Sequence, residues 1–272
     1  MYGPKDIAIL QCTKISLKHL SDEWRDNKTI VQIAVSQKAS SLKYASPRLR
    51  NDRDVVLTAI TRAIGHGLKY ASPELQNDYD IVLTSVTDNG ITLQYASNEL
   101  RNNKNIVLAA IAEYPYAFRY ASEELRNNRD IVIAAVTKSG GTLLYTSEEL
   151  RNDRNIVLTA VTNYYESIKF ASPTLRNDKD IVLTSVTSHS TSFMYIPKAL
   201  QYDEDVVIAT LRDKKINMDV LAYYIPPSFF QNPDFINKVI CLSHIDHPKI
   251  NKCRILPNTL PSAIRYLLFA LI

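Results

Sequence analysis

Along most of the chain a single pattern of apolar and polar positions returns every 25 residues. In Tyr120 to Val136, YASEELRNNRDIVIAAV, an aromatic and an alanine precede a polar stretch interrupted by one leucine, and a β-branched and small apolar run follows. The neighbouring copies read YASNELRNNKNIVLAAI from Tyr95 and YTSEELRNDRNIVLTAV from Tyr145. The aromatic recurs at Tyr44, Tyr70, Tyr95, Tyr120, Tyr145, Phe170 and Tyr195, at a spacing of 25 except for 26 between the first two. His19 holds the same slot one copy earlier, in HLSDEWRDNKTIV, where Trp24 replaces the leucine, and DIAILQCT resembles the second half of a truncated copy. After Tyr195 the period loosens: YIPKALQYDEDVV is echoed 29 residues on by YIPPSFFQNPDFI, and ILPNTLP is a worn remnant. A fixed period of this size marks a tandem repeat, whose end copies decay because they cap the stack instead of joining it on both sides.

The second half of each copy predicts a helix. It opens on Asp54, Asp80, Asn105, Asp130, Asn155, Asp180 or Asp205, residue types that cap helix N-termini, and in two copies Gly90 or Gly140 follows, as at a helix end. Its centre holds small pairs, Thr58-Ala59, Thr84-Ser85, Ala109-Ala110, Ala134-Ala135, Thr159-Ala160, Thr184-Ser185 and Ala209-Thr210, which permit close helix approach. The run is apolar around most of its circumference and is expected to lie between layers. The first half predicts a second, shorter helix. Ser-Pro at Pro47, Pro73 and Pro173 starts a helical turn there and kinks or restarts that helix. The β-branched content of DIVLTSVT also suits a strand, and 25 residues lies in the leucine-rich-repeat range. The leucine-rich pattern is absent, however, the Ala-Ala pairs favour helix, and Asn89-Gly90 is the one hairpin-type turn pair.

The expected fold is therefore all-α: a right-handed α-solenoid of about nine helix pairs with degenerate caps, on the order of 80–90 Å along its contour. Residues 1–18 read as a truncated N-terminal repeat or cap, 19–219 as the tandem array, and 220–272 as degenerate repeats with a C-terminal cap. Such an array offers long faces instead of a deep central pocket. The final segment, ILPNTLPSAIRYLLFALI, is too apolar for an exposed tail and predicts either inward capping or self-association through this end.

The pattern L-x-Y-A-S-x-x-L-R-N-D-x-D-I-V-L-x-A-V resembles the repeat called domain of unknown function 4116, over about residues 19–210. Proteins with that repeat occur in intracellular bacteria, amoebae and other protists, and giant viruses of amoebae. The resemblance implies a helical repeat and a microbe–host setting, and it assigns no catalytic residue. Its pattern fades over the last sixty residues.

Composition narrows the functional classes. The apolar share of 46% can fill a large core, and the net charge of +4 is spread through alternating acids and bases, which weakens a nucleic-acid reading. Cys12, Cys241 and Cys253 form no disulfide framework and point to a reducing compartment. The N-terminus lacks the basic and apolar regions of a signal peptide, and YLLFALI is too short to span a bilayer. A cytoplasmic protein is expected, with host cytoplasm or a virion as further locations.

Two sets of residues could recognise a partner. Arg25, Arg50, Arg101, Arg126, Arg151 and Arg176 form a column, with Gln76 and Gln201 in its gaps, beside an asparagine column of Asn51, Asn77, Asn102, Asn127, Asn152 and Asn177. Structurally, each arginine would pair with an acid of the next repeat and each asparagine would satisfy turn backbone. Functionally, the arginines would grip carboxylate-rich or phosphate-rich groups. The second set lies where the copies disagree: TRAIGHG, TDNG, AEYPY, TKSGG, TNYYE and TSHST. Its Tyr114, Tyr116, Tyr164 and Tyr165 suit interface anchors, although unconstrained loops also vary. Cys241, His244, His247 and Cys253 lack zinc-finger spacing, and His66 and His189 read as solvated loop residues. No triad order, Walker loop or dinucleotide fingerprint is present. The reading is a non-enzymatic interaction scaffold or a structural subunit of a larger assembly, without cofactor or metal. Its partner would be another protein held by a solenoid face or the variable edge. The alternative is a helical-repeat nucleic-acid binder, which reads bases with side chains varying at fixed positions.

Overall fold

The computed structural model describes residues 16–61, 67–211, 224–235 and 238, and every regular element among them is helical. The chain forms two compact bodies, residues 1–138 and 139–272. In both, a repeat comprises three elements. One copy runs through a 3-10 segment Gly90–Tyr95, a single-turn helix Asn98–Arg101 and a long helix Lys104–Glu113. The next uses Pro115–Tyr120, Glu123–Arg126 and Arg129–Lys138. In the second body Tyr165–Phe170, Pro173–Arg176 and Lys179–Ser188 repeat the order.

The expected helix pair is thus present with its first member divided. The division falls at the Ala-Ser dipeptide, whose backbone is extended: Ala121 has φ −61° and ψ 157°, Ser122 φ −58° and ψ 159°. The serine then caps the new turn. The Leu49, Leu75, Leu100, Leu125 and Leu175 amides donate to the hydroxyls of Ser46, Ser72, Ser97, Ser122 and Ser172 at 3.1–3.3 Å. Proline at the first helical position of three copies costs nothing, since that N–H has no intrahelical acceptor.

The caps of the long helices lie two residues before the expected ones. Asp52, Asp78, Asn103, Asn128, Asp153, Asp178 and Asp203 accept from the amide three residues on, at 3.0–3.3 Å. The expected Asp54, Asp80, Asn105, Asp130, Asn155, Asp180 and Asp205 occupy the second helical position. Each copy carries two Asp or Asn residues two apart. The earlier one caps, which leaves the later one in the first turn, where the helix dipole favours a carboxylate.

The long helices are also less uniformly buried than their composition suggests. In Arg129–Lys138 the core side is Ile131, Val132, Ala135 and Val136, while Thr137 and Lys138 are exposed. Of each small pair, only the second member is fully inside: Ala59, Ser85, Ala110, Ala135, Ala160, Ser185 and Thr210. Consecutive long helices pack side by side in each body, and the 3-10 segments Ala39–Tyr44, Gly67–Tyr70, Gly90–Tyr95, Pro115–Tyr120, Tyr165–Phe170 and Ser190–Tyr195 each pack against the long helix before and the one after. The buried small residue is where these backbones meet: Ser85 Oγ donates to Thr92 Oγ1 at 2.9 Å, and Ser185 Oγ to the Tyr165 carbonyl at 3.0 Å.

Gly90 and Gly140 do not terminate helices in a left-handed conformation. Asn89 and Ser139 precede them in extended backbone, and each glycine begins the following 3-10 segment. The requirement is space: a Cβ on Gly140 would stand 2.0 Å from the Ala160 carbonyl oxygen, and one on Gly90 2.3 Å from that of Ala110. The core between the layers is mainly apolar, with small Ser and Thr side chains among it, and Leu68, Leu93, Phe118, Leu143, Ile168 and Phe193 of the 3-10 segments are fully buried at one register position.

Candidate functional site

The arginine column ends the single-turn helices and is half-buried at every copy. At Arg25, Gln76 and Gln201 the column side chain turns back onto the carbonyls of its own repeat. Arg25 Nε donates to the Leu17 carbonyl at 3.2 Å and Nη2 to that of Lys18 at 3.0 Å. Where glutamine replaces arginine it does the same: Gln76 Nε2 reaches the Leu68 carbonyl at 3.1 Å, and Gln201 Nε2 the Ile196 carbonyl at 3.2 Å. In Arg50, Arg101, Arg126, Arg151 and Arg176 the Nε is likewise buried. The expected pairing of this column with acids of the next repeat is corrected by a different set of residues. The first residue of the long helix reaches forward instead.

Within the first body Lys28 bridges Asp52 at 2.9 Å and Asp54 at 2.7 Å, while Arg53 pairs with Asp78 and lies 3.1 Å from Asp80. Within the second body Arg154 spans Asp178 at 3.2 Å and Asp180 at 2.8 Å, and Lys179 spans Asp203 at 2.9 Å and Asp205 at 2.7 Å. Each base therefore holds the cap and the second helical residue of the following repeat. The hydrogen bonds that Lys179 donates to Asp205 and Asp203 push it up to about 12, and those that Lys28 donates to Asp54 and Asp52 raise Lys28. Burial pushes the Asp52 carboxyl up, but Lys28 and the Val55 and Asp54 amides outweigh it and hold the group below the usual carboxylate range. These pairs are solvent-facing, so their contribution to stability is small and salt-sensitive.

The asparagine column also joins repeats, beyond its expected service to local backbone. Ser72 Oγ donates to Asn51 Oδ1 and Ser172 Oγ to Asn152 Oδ1, both at 2.5 Å, with the same bond from Ser97 to Asn77 and from Ser122 to Asn102. Alongside, the serine amide donates to the carbonyl of the preceding repeat's column residue: Ser46 to Arg25, Ser72 to Arg50, Ser97 to Gln76, Ser122 to Arg101 and Ser172 to Arg151, at 2.9–3.0 Å. This staple explains why Ser and Asn recur together, and it escaped the sequence reading although the recurring Ala-Ser was visible. At Ile196-Pro197 the serine is gone and proline has no N–H to donate, so the last regular copy lacks both bonds.

Among the described residues of each body, the variable positions lie where a long helix ends and the next 3-10 segment begins. Tyr114 ends the helix Lys104–Glu113 and is 39% exposed, and its ring lies 6.0 Å from that of Tyr116. In the second body Tyr164 and Tyr165 sit 5.6 Å apart, and Tyr165 stacks on His189 at 4.2 Å. His189 is thus half-buried and held, its Nδ1 2.8 Å from Thr191 Oγ1, and is not the solvated loop residue its sequence position suggested. Beside this cluster Lys169 bonds Glu166 at 2.6 Å, which holds Glu166 below the usual carboxylate range, while burial raises the Tyr164 phenol.

A second row follows the repeat aromatic. Lys43 lies 4.6 Å from the Tyr44 ring, Lys69 lies between Tyr70 and Tyr95 at 5.5 and 5.9 Å, and Arg119 is 4.5 Å from Tyr120. In the second body Lys169 lies between Phe170 and Tyr195 at 5.1 and 5.2 Å. Next to this row, in the first body, a cavity of about 330 Å³ is lined by Asn98, Arg101, Arg119, Tyr120, Glu123 and Arg126, among others. Of the predicted site residues, Arg101 and Arg126 therefore share one cavity, whereas Tyr114 and Tyr116 stand in one body and Tyr164 and Tyr165 in the other.

Among the described residues no cluster of His, Cys, Asp and Glu could hold a metal ion, and no helix is long and apolar enough to cross a membrane. Cys12, His66, Cys241, His244, His247, Cys253 and the apolar stretch Ile255–Ile272 lie outside the described residues. No curated protein and no solved structure matches the chain. The family described as domain of unknown function (DUF4116) matches it seven times in overlapping register, at residues 7–50, 37–64, 52–101, 78–126, 103–151, 128–176 and 153–201. These matches cover most of the chain and have the period of the Ser–Arg–Asn staple: the protein belongs to the DUF4116 repeat family.

Proposed function

We propose that the protein is a non-enzymatic interaction scaffold, or a structural subunit of an assembly, and that a protein partner docks on the variable edge. One observation carries this reading. The repeats keep nearly the same residue types where they pack and staple, and they differ most where the long helix hands over to the 3-10 segment, which is where Tyr114, Tyr116, Tyr164 and Tyr165 stand. Packing demands sameness from copy to copy and recognition demands difference. Tyrosine supplies large contact area at little rotamer cost, and so anchors interfaces well. Inside a host cell or a virion, such an edge would recruit one partner per body.

The nucleic-acid alternative ranks lower for a structural reason. The ring faces of the aromatic row are covered by the protein's own Lys43, Lys69, Arg119 and Lys169, which leaves fewer free platforms for base stacking. Affinity capture from the native cell, comparing the wild type with the fourfold variant Tyr114→Ala, Tyr116→Ala, Tyr164→Ala, Tyr165→Ala, tests the proposal. A protein captured by the wild type and lost from the folded variant supports it. Equal capture by both, or capture abolished by nuclease, overturns it.

A further inference from the structure

The base–acid ladder breaks at one step of the first body. Arg53 holds Asp78 and Asp80 of the following repeat, but one repeat later its position is Tyr79, and both acids are replaced by Asn103 and Asn105. The long helix behind that step, Lys104–Glu113, also differs on its outward side. Where the preceding copy carries Thr84 and Thr87 it has Ala109 and Ala112, and Leu108 near its centre is 38% exposed. Lys104 opens this helix and Glu113 closes it. Both are exposed, and among the described residues neither has an ion pair, unlike Lys28, Arg53, Arg154 and Lys179. Each also stands against the helix dipole, which favours acids at the N-terminus and bases at the C-terminus. The two flanking helices pack side by side with it and carry exposed polar groups near both ends, Tyr79 and Asp88 on one, Asp130 and Lys138 on the other.

We infer that this three-helix face binds a second copy of itself, across a two-fold axis that sets the helices antiparallel. Reversal is what makes the face self-complementary. It brings Lys104 of each copy toward Glu113 of the other, Asp130 toward Lys138, and the Tyr79 hydroxyl toward the Asp88 carboxylate, while Asp80 is already held by Arg53. Residues 108 and 109 are the midpoint of the ten-residue helix, so the axis crosses where the outward side chains are apolar or small and the helices can approach closely. In the second body Arg154–Asn163 and Lys179–Ser188 begin on bases already paired and end uncharged, so the same reversal gains nothing there. Three helices about 15 Å long and about 8–10 Å apart present roughly 400 Å² per copy. That is about half of what one partner gives to a standard interface, so the dimer is weak, with a Kd of about 10–100 µM. This face and the tyrosine edge are different residues, and either proposal can fail without the other.

Sedimentation equilibrium of the full chain from about 5 to about 500 µM reads the association, and the wild type should pass from monomer to dimer mass across that range. Lys104→Glu sets like charges opposite each other twice per dimer and should weaken association more than about tenfold. Adding Glu113→Lys restores both pairs with exchanged signs and should return affinity to within about threefold of the wild type. Both changes place charge in the sense the helix dipole favours, so these variants should melt no lower than the wild type, which separates loss of the dimer from loss of the fold. Leu108→Asp should give a folded monomer. Monomer mass at every wild-type concentration overturns the inference. So does a Lys104→Glu or Leu108→Asp variant that dimerises as the wild type does, which would move the contact to another surface, and so does a folded double variant that stays monomeric.

Discussion

Replacing Ser122 by alanine removes one hydroxyl that serves two repeats. Its oxygen accepts from the Leu125 amide at 3.1 Å and its proton goes to Asn102 Oδ1. Loss of a serine N-cap costs about 1 kcal/mol. The second bond is worth less than a buried one, about 0.5 kcal/mol, because exposed Asn102 can turn to water. Ser122→Ala should therefore destabilise the protein by about 1.5 kcal/mol in urea unfolding, and Ser122→Thr, which keeps the hydroxyl, by less than about 0.5 kcal/mol. Ser122→Pro separates the backbone contribution. Proline fixes φ near −65°, Ser122 already has φ −58°, and Ala121 before it is extended, so the substitution adds little strain. What it removes in addition is the amide bond to the Arg101 carbonyl at 2.9 Å, about 1 kcal/mol more. The order should run Thr, Ala, Pro, with Ala and Pro separated by that margin, and hydrogen exchange at the Leu125 amide should accelerate in step. If Ser122→Ala unfolds with the wild type, or Ser122→Pro is no worse than Ser122→Ala, the staple does not join the repeats as described.

Gly140→Ala should cost more than about 2 kcal/mol in the same assay, because its Cβ would meet the Ala160 carbonyl at 2.0 Å and Ser167 Oγ at 2.7 Å, and backbone cannot yield as a side chain tip can. The base–acid ladder makes stability depend on pH at both extremes. Asp52, Asp178 and Asp205 sit below their ordinary values, so their contribution is complete above about pH 4–5 and is lost as pH falls through the folded values. Lys28 and Lys179 sit above theirs, so their contribution is complete below about pH 10 and is lost as pH rises, toward about 12 for Lys179. Urea midpoints across pH should show both falls, and they should shrink in 1 M salt; a salt-independent profile would place the effect elsewhere. Tyr114→Ala should alter stability by less than about 0.5 kcal/mol, since the ring lies at the surface and the Cβ that stands against Gly90 is kept; a loss above about 2 kcal/mol would make the tyrosine structural.

The all-helical class, the period and the core residues were legible in the chain because a repeat prints its environment many times over. Ile, Val and small residues at constant offsets identify the buried side of a helix without any knowledge of what covers it. Even the break after Ala-Ser was readable from Ser-Pro, a dipeptide whose backbone preferences are local. Which of two candidate caps closes each helix was not readable, since Asp78 and Asp80 have nearly the same local chemistry. The choice leaves Asp80 in reach of Arg53, a contact 27 residues away in sequence. The same holds for the glycines. Gly140 resembles a helix terminator in sequence, yet its constraint is the Ala160 carbonyl of the following repeat. The arginines resemble partners for acids, yet Arg25, like Gln76 at the same position, turns back on carbonyls of its own repeat while a neighbouring column makes the ion pairs between repeats. Local preference along the chain determined what each segment forms. Which carbonyl, acid or cavity a given side chain meets depends on atoms 20 or more residues away, and the packing of one repeat on the next decided it.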